Sequence, residues 1–112
     1  MPMTAMDLVA HAKQTITEIS IADVKKSNTL ILDVREPAEF AAGHLDNAIN
    51  IPRGVLEFKI NTHPQLSGQQ ATDIIVYCQS GGRSALATEA LHKIGYTKAV
   101  SMAGGYNAWT SN

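Results

Sequence analysis

The apolar positions of this chain fall into short bursts with two different periods. Continuous apolar runs stand in "TLILDV" (residues 29–34) and "DIIVYC" (residues 73–78), with shorter ones in "NAINIP" and "KAVSM" and a brief one in "TEIS". Runs this short, rich in β-branched residues and leucine, read as buried strands. "DIIVYC" is apolar on both faces and is therefore expected at the centre of a sheet. Helical spacing fills the gaps. "TAMDLVAHAKQ" puts Met6, Val9 and Ala10 on one side of an amphipathic helix, and Ser20 is placed to cap a turn over "IADVKKS". "PAEFAAG" gives one or two turns from Pro37 to Gly43, and "RGVLEFKI" is expected to be helical. "RSALATEALHKIG" sets Leu86, Ala90, Leu91 and Ile94 on one stripe, pairs Glu89 with Lys93 on the outer face, and stops at Gly95. "GGYNAW" opens a last short helix. Residues 61–72 are polar, with His63-Pro64 and Ser67-Gly68 marking turns, and read as loop.

Strands and helices thus alternate, and the strands are apolar throughout. The expected fold class is α/β, with a mostly parallel central sheet, helices on both faces and right-handed crossovers. Composition agrees. With 112 residues, 45% of them apolar and 17% charged, the chain can form one core, and residues 1–112 are expected to be a single domain. A net charge of −1 gives no electrostatic reason for a nucleic acid or an anionic membrane as partner. No run of 18 apolar residues and no basic, then apolar, leader is present, so a soluble cytoplasmic protein is expected. One cysteine makes no internal disulfide.

That cysteine, Cys78, directly follows the strongest strand, at the end of a parallel strand where ligands gather. Gln79, Ser80, Gly81 and Gly82 must turn the chain into the next helix, which begins near Arg83. The glycine pair lets successive N–H groups point inward as an anion-binding nest, and the helix N-terminus adds its positive end. Arg83 adds a full charge. All three favour thiolate over thiol, so Cys78 reads as a nucleophile rather than a small buried hydrophobe. No G-x-S-x-G elbow is present, and the four histidines (11, 44, 63 and 92) have no metal-ligand spacing with Cys78.

Three segments then resemble one family. "LDVREPAEFAAGHLDNAINIP", "VYCQSGGRSALATEALHKIGY" and "MAGGYNAW" are similar, in order and spacing, to the signatures of single-domain rhodaneses, sulfurtransferases of the thiosulfate sulfurtransferase type. The matching core lies within residues 29–110. The resemblance implies a rhodanese-like fold without a cofactor and a two-step relay. Cys78 takes the outer sulfur of a donor such as thiosulfate as a persulfide, then yields it to cyanide or a thiol. It implies donor contacts from the loop, Gln79 to Ser84. Arg83 either steers the anionic donor or braces the loop. Four residues separate Cys78 from Arg83, where rhodanese-like phosphatases have five, which implies room for sulfur rather than phosphate. Because Gln79 and Ser80 are neutral, the donor is open between thiosulfate, a polysulfide and a protein persulfide. The alternative reading is a carrier that docks to a sulfur-relay partner such as a cysteine desulfurase.

Arg35 is a further candidate for binding the donor, since it stands at the end of the "TLIL" strand. Charges at such a rim usually pair, so Asp33, Arg35 and Glu39 read better as a bracing network. His44 reads as a turn brace, because a thiolate needs no base. Tyr106 and Trp109 are expected to close the core, and Met1, Met3, Met6 and Met102 form no cofactor cluster.

Overall fold

The structure, a computed structural model, describes residues 2–111, so Met1 lies outside it. Five strands form one sheet, every pairing parallel: β1 (Glu18–Ile19), β2 (Leu30–Asp33), β3 (Ile49–Asn50), β4 (Ile74–Tyr77) and β5 (Ala99–Met102). Their order is β1-β5-β4-β2-β3, which puts β4 in the centre with all four of its residues buried. In register, Leu32 and Asp33 of β2 stand beside Val76 and Tyr77 of β4, and Val76 stands beside Ser101 of β5. All strands therefore end on the same rim.

The period of two divides the core. Leu32, Val34, Ile74, Val76, Cys78 and Ala99 share one side with Leu56, Ile60 and Leu91. Ile75, Tyr77 and Met102 share the other with Val24, Leu45 and Trp109. The helices are α1 (Ala5–Thr15), α2 (Ile21–Lys26), α3 (Pro37–Ala42), α4 (Leu56–Lys59), α5 (Gly82–Lys93) and α6 (Gly105–Thr110). Ser20 Oγ accepts from Asp23 N at 3.1 Å and caps α2 as expected. Beyond α5, Gly95 at φ +101° lets Gly95 N reach His92 O and Tyr96 N reach Leu91 O, satisfying carbonyls that the helix end leaves open.

Three expectations are corrected. The buried face of α1 is Val9 and Ala12, which meet Ala85 of α5, while Met6 is 70% exposed and Ala10 also faces solvent. A helix packed along one neighbouring helix buries only a narrow stripe. On α5 the buried residues are Ser84, Ala85, Ala87, Thr88 and Leu91, most of them small, because the helix lies between the sheet and α1. Of its expected stripe only Leu91 is buried, and no ion pair joins Glu89 to Lys93 among the described residues. "RGVLEFKI" is helical as expected, as a single α-turn between two 3-10 turns, Arg53–Val55 and Ile60–Thr62. The 61–72 loop is pinned, since Leu66 is buried and Tyr96 Oη bonds Asn61 Oδ1 at 2.9 Å and Leu66 O at 3.2 Å.

Candidate active site

β4 ends at Tyr77, and Cys78 is the next residue, 1% exposed. The chain then turns through Gln79, Ser80 and Gly81 into α5. Gly81 takes φ +108°, a left-handed angle that glycine adopts without strain. That turn aims two main-chain donors at sulfur: Gly81 N lies 3.1 Å and Ser84 N 3.2 Å from Sγ. The N–H groups of Gly82 and Arg83 open the same helix and have no intrahelical acceptor. Sγ thus sits at the positive end of α5. Cys78 Sγ also donates to Ser84 Oγ at 3.5 Å. Ser84 Oγ meets Gly81 O at 3.3 Å and Ser101 Oγ at 2.9 Å, a fully buried hydroxyl pair beneath the sulfur.

The loop is held from behind by α6. Tyr106 N donates to Cys78 O at 2.8 Å and Asn107 N to Gln79 O at 3.0 Å. Drawing these carbonyls backward turns the loop amides toward the sulfur. The approach demands glycine at position 105, where φ is +60° and a Cβ would lie 2.5 Å from Cys78 O. The Gln79 side chain makes a second tie, accepting from Arg35 Nη1 at 3.1 Å and donating to Asn107 Oδ1 at 2.6 Å.

Two arginines flank the loop in different ways. Arg35 is 2% exposed and bonds Asp33 through Nε and Nη2, the shortest contact being 2.7 Å. Its Nη2 also reaches Gly43 O at 2.7 Å, and its guanidinium lies 4.5 Å from the Tyr106 ring centre. Burial disfavours the charge on Arg35, but the bonds and charge of Asp33 outweigh it and raise its pKa above the ordinary value. Arg83 is partly exposed and grips Glu39 of α3 with two bonds, 2.7 and 2.9 Å. The Arg83 guanidinium, helped by the amide of Glu36, holds Glu39 down at about 2. A cleft of about 280 Å³ opens among Arg35, Glu39, Gly43, Gln79 and Tyr106.

The structure therefore gathers Cys78, Gly81 and Ser84 around the sulfur and Arg35 around Gln79. Gly82 starts the helix, and Ser80 is exposed on the loop tip. Glu39 joins Arg83 rather than Asp33 and Arg35. His44 braces a turn, stacking on Phe40 at 3.7 Å and bonding Phe40 O through Nδ1 at 2.9 Å. Trp109 packs on the core, whereas Tyr106 also lines the cleft. Sequence reasoning passed over Ser101 and Asn107. A lone serine on the inward face of a strand that is otherwise apolar was the signal for Ser101. Asn107 carried none, because its partner lies 28 residues away.

The sequence profile of the rhodanese-like domain matches residues 18–112. The chain is 46% identical over 88 residues to thiosulfate sulfurtransferase 16, chloroplastic, of Arabidopsis thaliana, covering 72% of this chain and 73% of that one. Among solved structures it resembles the human single-domain sulfurtransferase TSTD1, with a TM-score of 0.73 and 28% identity over 85% of this chain and 96% of that one. It also resembles a Rhodopseudomonas palustris protein of unknown function, named as a possible tyrosine phosphatase. There the TM-score is 0.80 and the identity 28%, over 99% of this chain and 95% of that one.

Proposed function

The chain belongs to the rhodanese-like family, and from that premise we propose that it is a sulfurtransferase carrying sulfur as a persulfide on Cys78. The observation that carries this reading is the pair of main-chain N–H groups, from Gly81 and Ser84, aimed at Sγ. They are fixed by the fold, so they meet negative charge on sulfur without reorganising. In the first step the Cys78 thiolate attacks the outer sulfur of a donor. With thiosulfate, the donor's S–S bond breaks and its electron pair leaves on sulfite. Cys78 is left as a persulfide with one negative charge on the terminal sulfur. In the second step an acceptor thiolate or cyanide attacks that sulfur, and the electron pair of the broken bond returns to Sγ.

The charges beside the loop bear on the donor. Arg35 is paired with Asp33 and Arg83 with Glu39, so the four formal charges cancel. A doubly negative donor meets no net formal attraction, which favours a donor of lower charge, such as a singly charged persulfide, over thiosulfate. Both arginines accordingly act as braces that fix Gln79 and the start of α5.

Intact-mass spectrometry tests the reading, comparing the protein with its Cys78→Ser variant after thiosulfate, polysulfide, or a cysteine desulfurase with cysteine. The expected result is a gain of about 32 Da, one sulfur, in the wild type alone, removed by cyanide. A gain only with the desulfurase would make the chain a carrier that docks to its donor. No gain with any donor, or phenyl phosphate hydrolysis that depends on Cys78, would overturn the reading.

A further inference from the structure

Ser101 is the one polar residue of β5, it is fully buried, and the two-step relay does not use it. In register it stands beside Val76 of β4, two residues before Cys78, so it faces the same side of the sheet as the sulfur. A buried hydroxyl among apolar neighbours costs stability unless it is hydrogen-bonded. Among the described residues, the only hydrogen-bond partner of Ser101 Oγ is Ser84 Oγ, at 2.9 Å.

The direction of that bond follows from the protons at hand. Ser84 Oγ carries one proton and meets Cys78 Sγ at 3.5 Å, Gly81 O at 3.3 Å and Ser101 Oγ at 2.9 Å. Gly81 O can only accept, so in the thiol form Ser84 donates to it while Sγ–H donates to Ser84. With its own proton spent, Ser84 Oγ can only accept from Ser101. Ser101 is therefore the donor of the pair. When Cys78 loses its proton to solvent, Sγ changes from donor to acceptor, and the Ser84 proton turns from Gly81 O to Sγ. The turn orphans no carbonyl, because Gly81 O keeps Ala85 N at 3.2 Å. Throughout, Ser101 occupies one lone pair of Ser84 Oγ. That confines the Ser84 proton to its two acceptors and strengthens it as a donor.

We propose that Ser101 is a positioning residue for the Cys78 thiolate, acting through the Ser84 hydroxyl that it holds ready to donate to Sγ. The inference rests on the reading of Cys78 as the nucleophile. The charges around the sulfur come from other elements. Arg83 of α5 is paired with Glu39 of α3 and also feels Glu36, and Arg35 is paired with Asp33 of β2. Tyr77, next to Cys78 in sequence, and Tyr106, whose N–H holds Cys78 O, are ionisable neighbours. Among the described residues none of these side chains bonds Ser84 or Ser101, so replacing either hydroxyl leaves every charge in place.

The ultraviolet absorbance of the thiolate, followed against pH, tests it. Cys78→Ser serves as the blank, since the chain has a single cysteine. Wild type, Ser101→Ala, Ser84→Ala and the double variant S84A/S101A are compared, with Tm measured for each. Ser101→Ala is expected to move the midpoint up by about half a pH unit, a roughly threefold loss of thiolate below the midpoint. Ser84→Ala is expected to move it further, and adding Ser101→Ala to Ser84→Ala to move it no more. No sulfur donor takes part, so a chain that fails to load sulfur still gives this result, and failure here leaves the persulfide reading standing. A midpoint unmoved in Ser101→Ala, whatever its Tm, or the same shift from Ser101→Ala with and without the Ser84 hydroxyl, would overturn the proposal.

Discussion

The main-chain amide of Tyr106 donates to Cys78 O at 2.8 Å, so the last helix of the chain holds the sulfur-bearing loop from behind. The contact exists because residue 105 has no Cβ. Gly105→Ala is expected to force a main-chain shift, since the new methyl would lie 2.5 Å from Cys78 O and 2.6 Å from Gln79 C. The positive φ adds its own penalty. Together these should cost about 2–4 kcal/mol, a Tm loss of roughly 10 °C or more, and slow persulfide formation by over tenfold. Differential scanning calorimetry and intact-mass kinetics measure the two effects. A variant as stable and as fast as wild type would mean that α6 does not position the loop.

Arg35 should matter to the fold more than to the donor. Arg35→Met removes a buried guanidinium and leaves Asp33, fully buried, without its cation. A loss of about 3–5 kcal/mol in urea unfolding is expected. Removing both charges, in Asp33→Asn with Arg35→Met, should recover part of that loss. If the single variant keeps its stability and loses only donor binding, Arg35 belongs to the donor site after all.

The Glu39–Arg83 pair sets a pH dependence whose sign follows from the carboxylate. Glu39 is lowered from 4.5 to about 2 in the folded protein. A depressed carboxylate contributes stability above its unfolded value, and that contribution fades as pH falls from about 4.5 through about 2. Both side chains are about a third exposed, so the effect at neutral pH is at most about 1 kcal/mol. Tm measured against pH for wild type and Glu39→Gln should show two curves that part above pH 4.5 and merge near pH 2. Curves that coincide throughout would remove the bridge from the loop's support.

Ser84 supplies the sulfur with two contacts, one main-chain and one hydroxyl. Ser84→Ala keeps the N–H at 3.2 Å and removes only Oγ. Loading should therefore slow by no more than about tenfold, consistent with the loss of one hydrogen bond. Stability should drop by about 1–3 kcal/mol, because Ser101 Oγ is left buried without its partner. The double variant S84A/S101A should regain most of it. Loss of loading as complete as in Cys78→Ser would show that the hydroxyl, rather than the amides, carries the chemistry.

Much of this molecule was legible along the chain. Period fixed the five strands and the central place of β4, because a strand covered on both faces needs apolar residues at every position. Local chemistry fixed the ends of the helices: Ser20 caps, Pro37 starts, Gly95 stops. The turn after Cys78 was equally local, since a strand end, a glycine pair and a helix start fall within six residues. That is why the sulfur, an amide-lined turn and the opening of α5 could be expected from the residues alone. The two amides that reach Sγ, Gly81 and Ser84 rather than successive ones, are known only from the packed loop.

What the tertiary structure decided is which of two possible partners each side chain meets. Glu39 is four residues from Arg35, yet it pairs with Arg83, 44 residues away, because parallel strands bring α3 and the start of α5 to one rim. Asn107 reaches Gln79, and Ser101 reaches Ser84, for the same reason. On α5 the helical period marks an apolar stripe but cannot say how many neighbours will cover it. The sheet and α1 take the small residues of the helix, Leu86 packs half-buried against the α1 cluster, and Ile94 is left at the surface. Period and composition report what a residue prefers; only the packed chain determines which neighbour satisfies it.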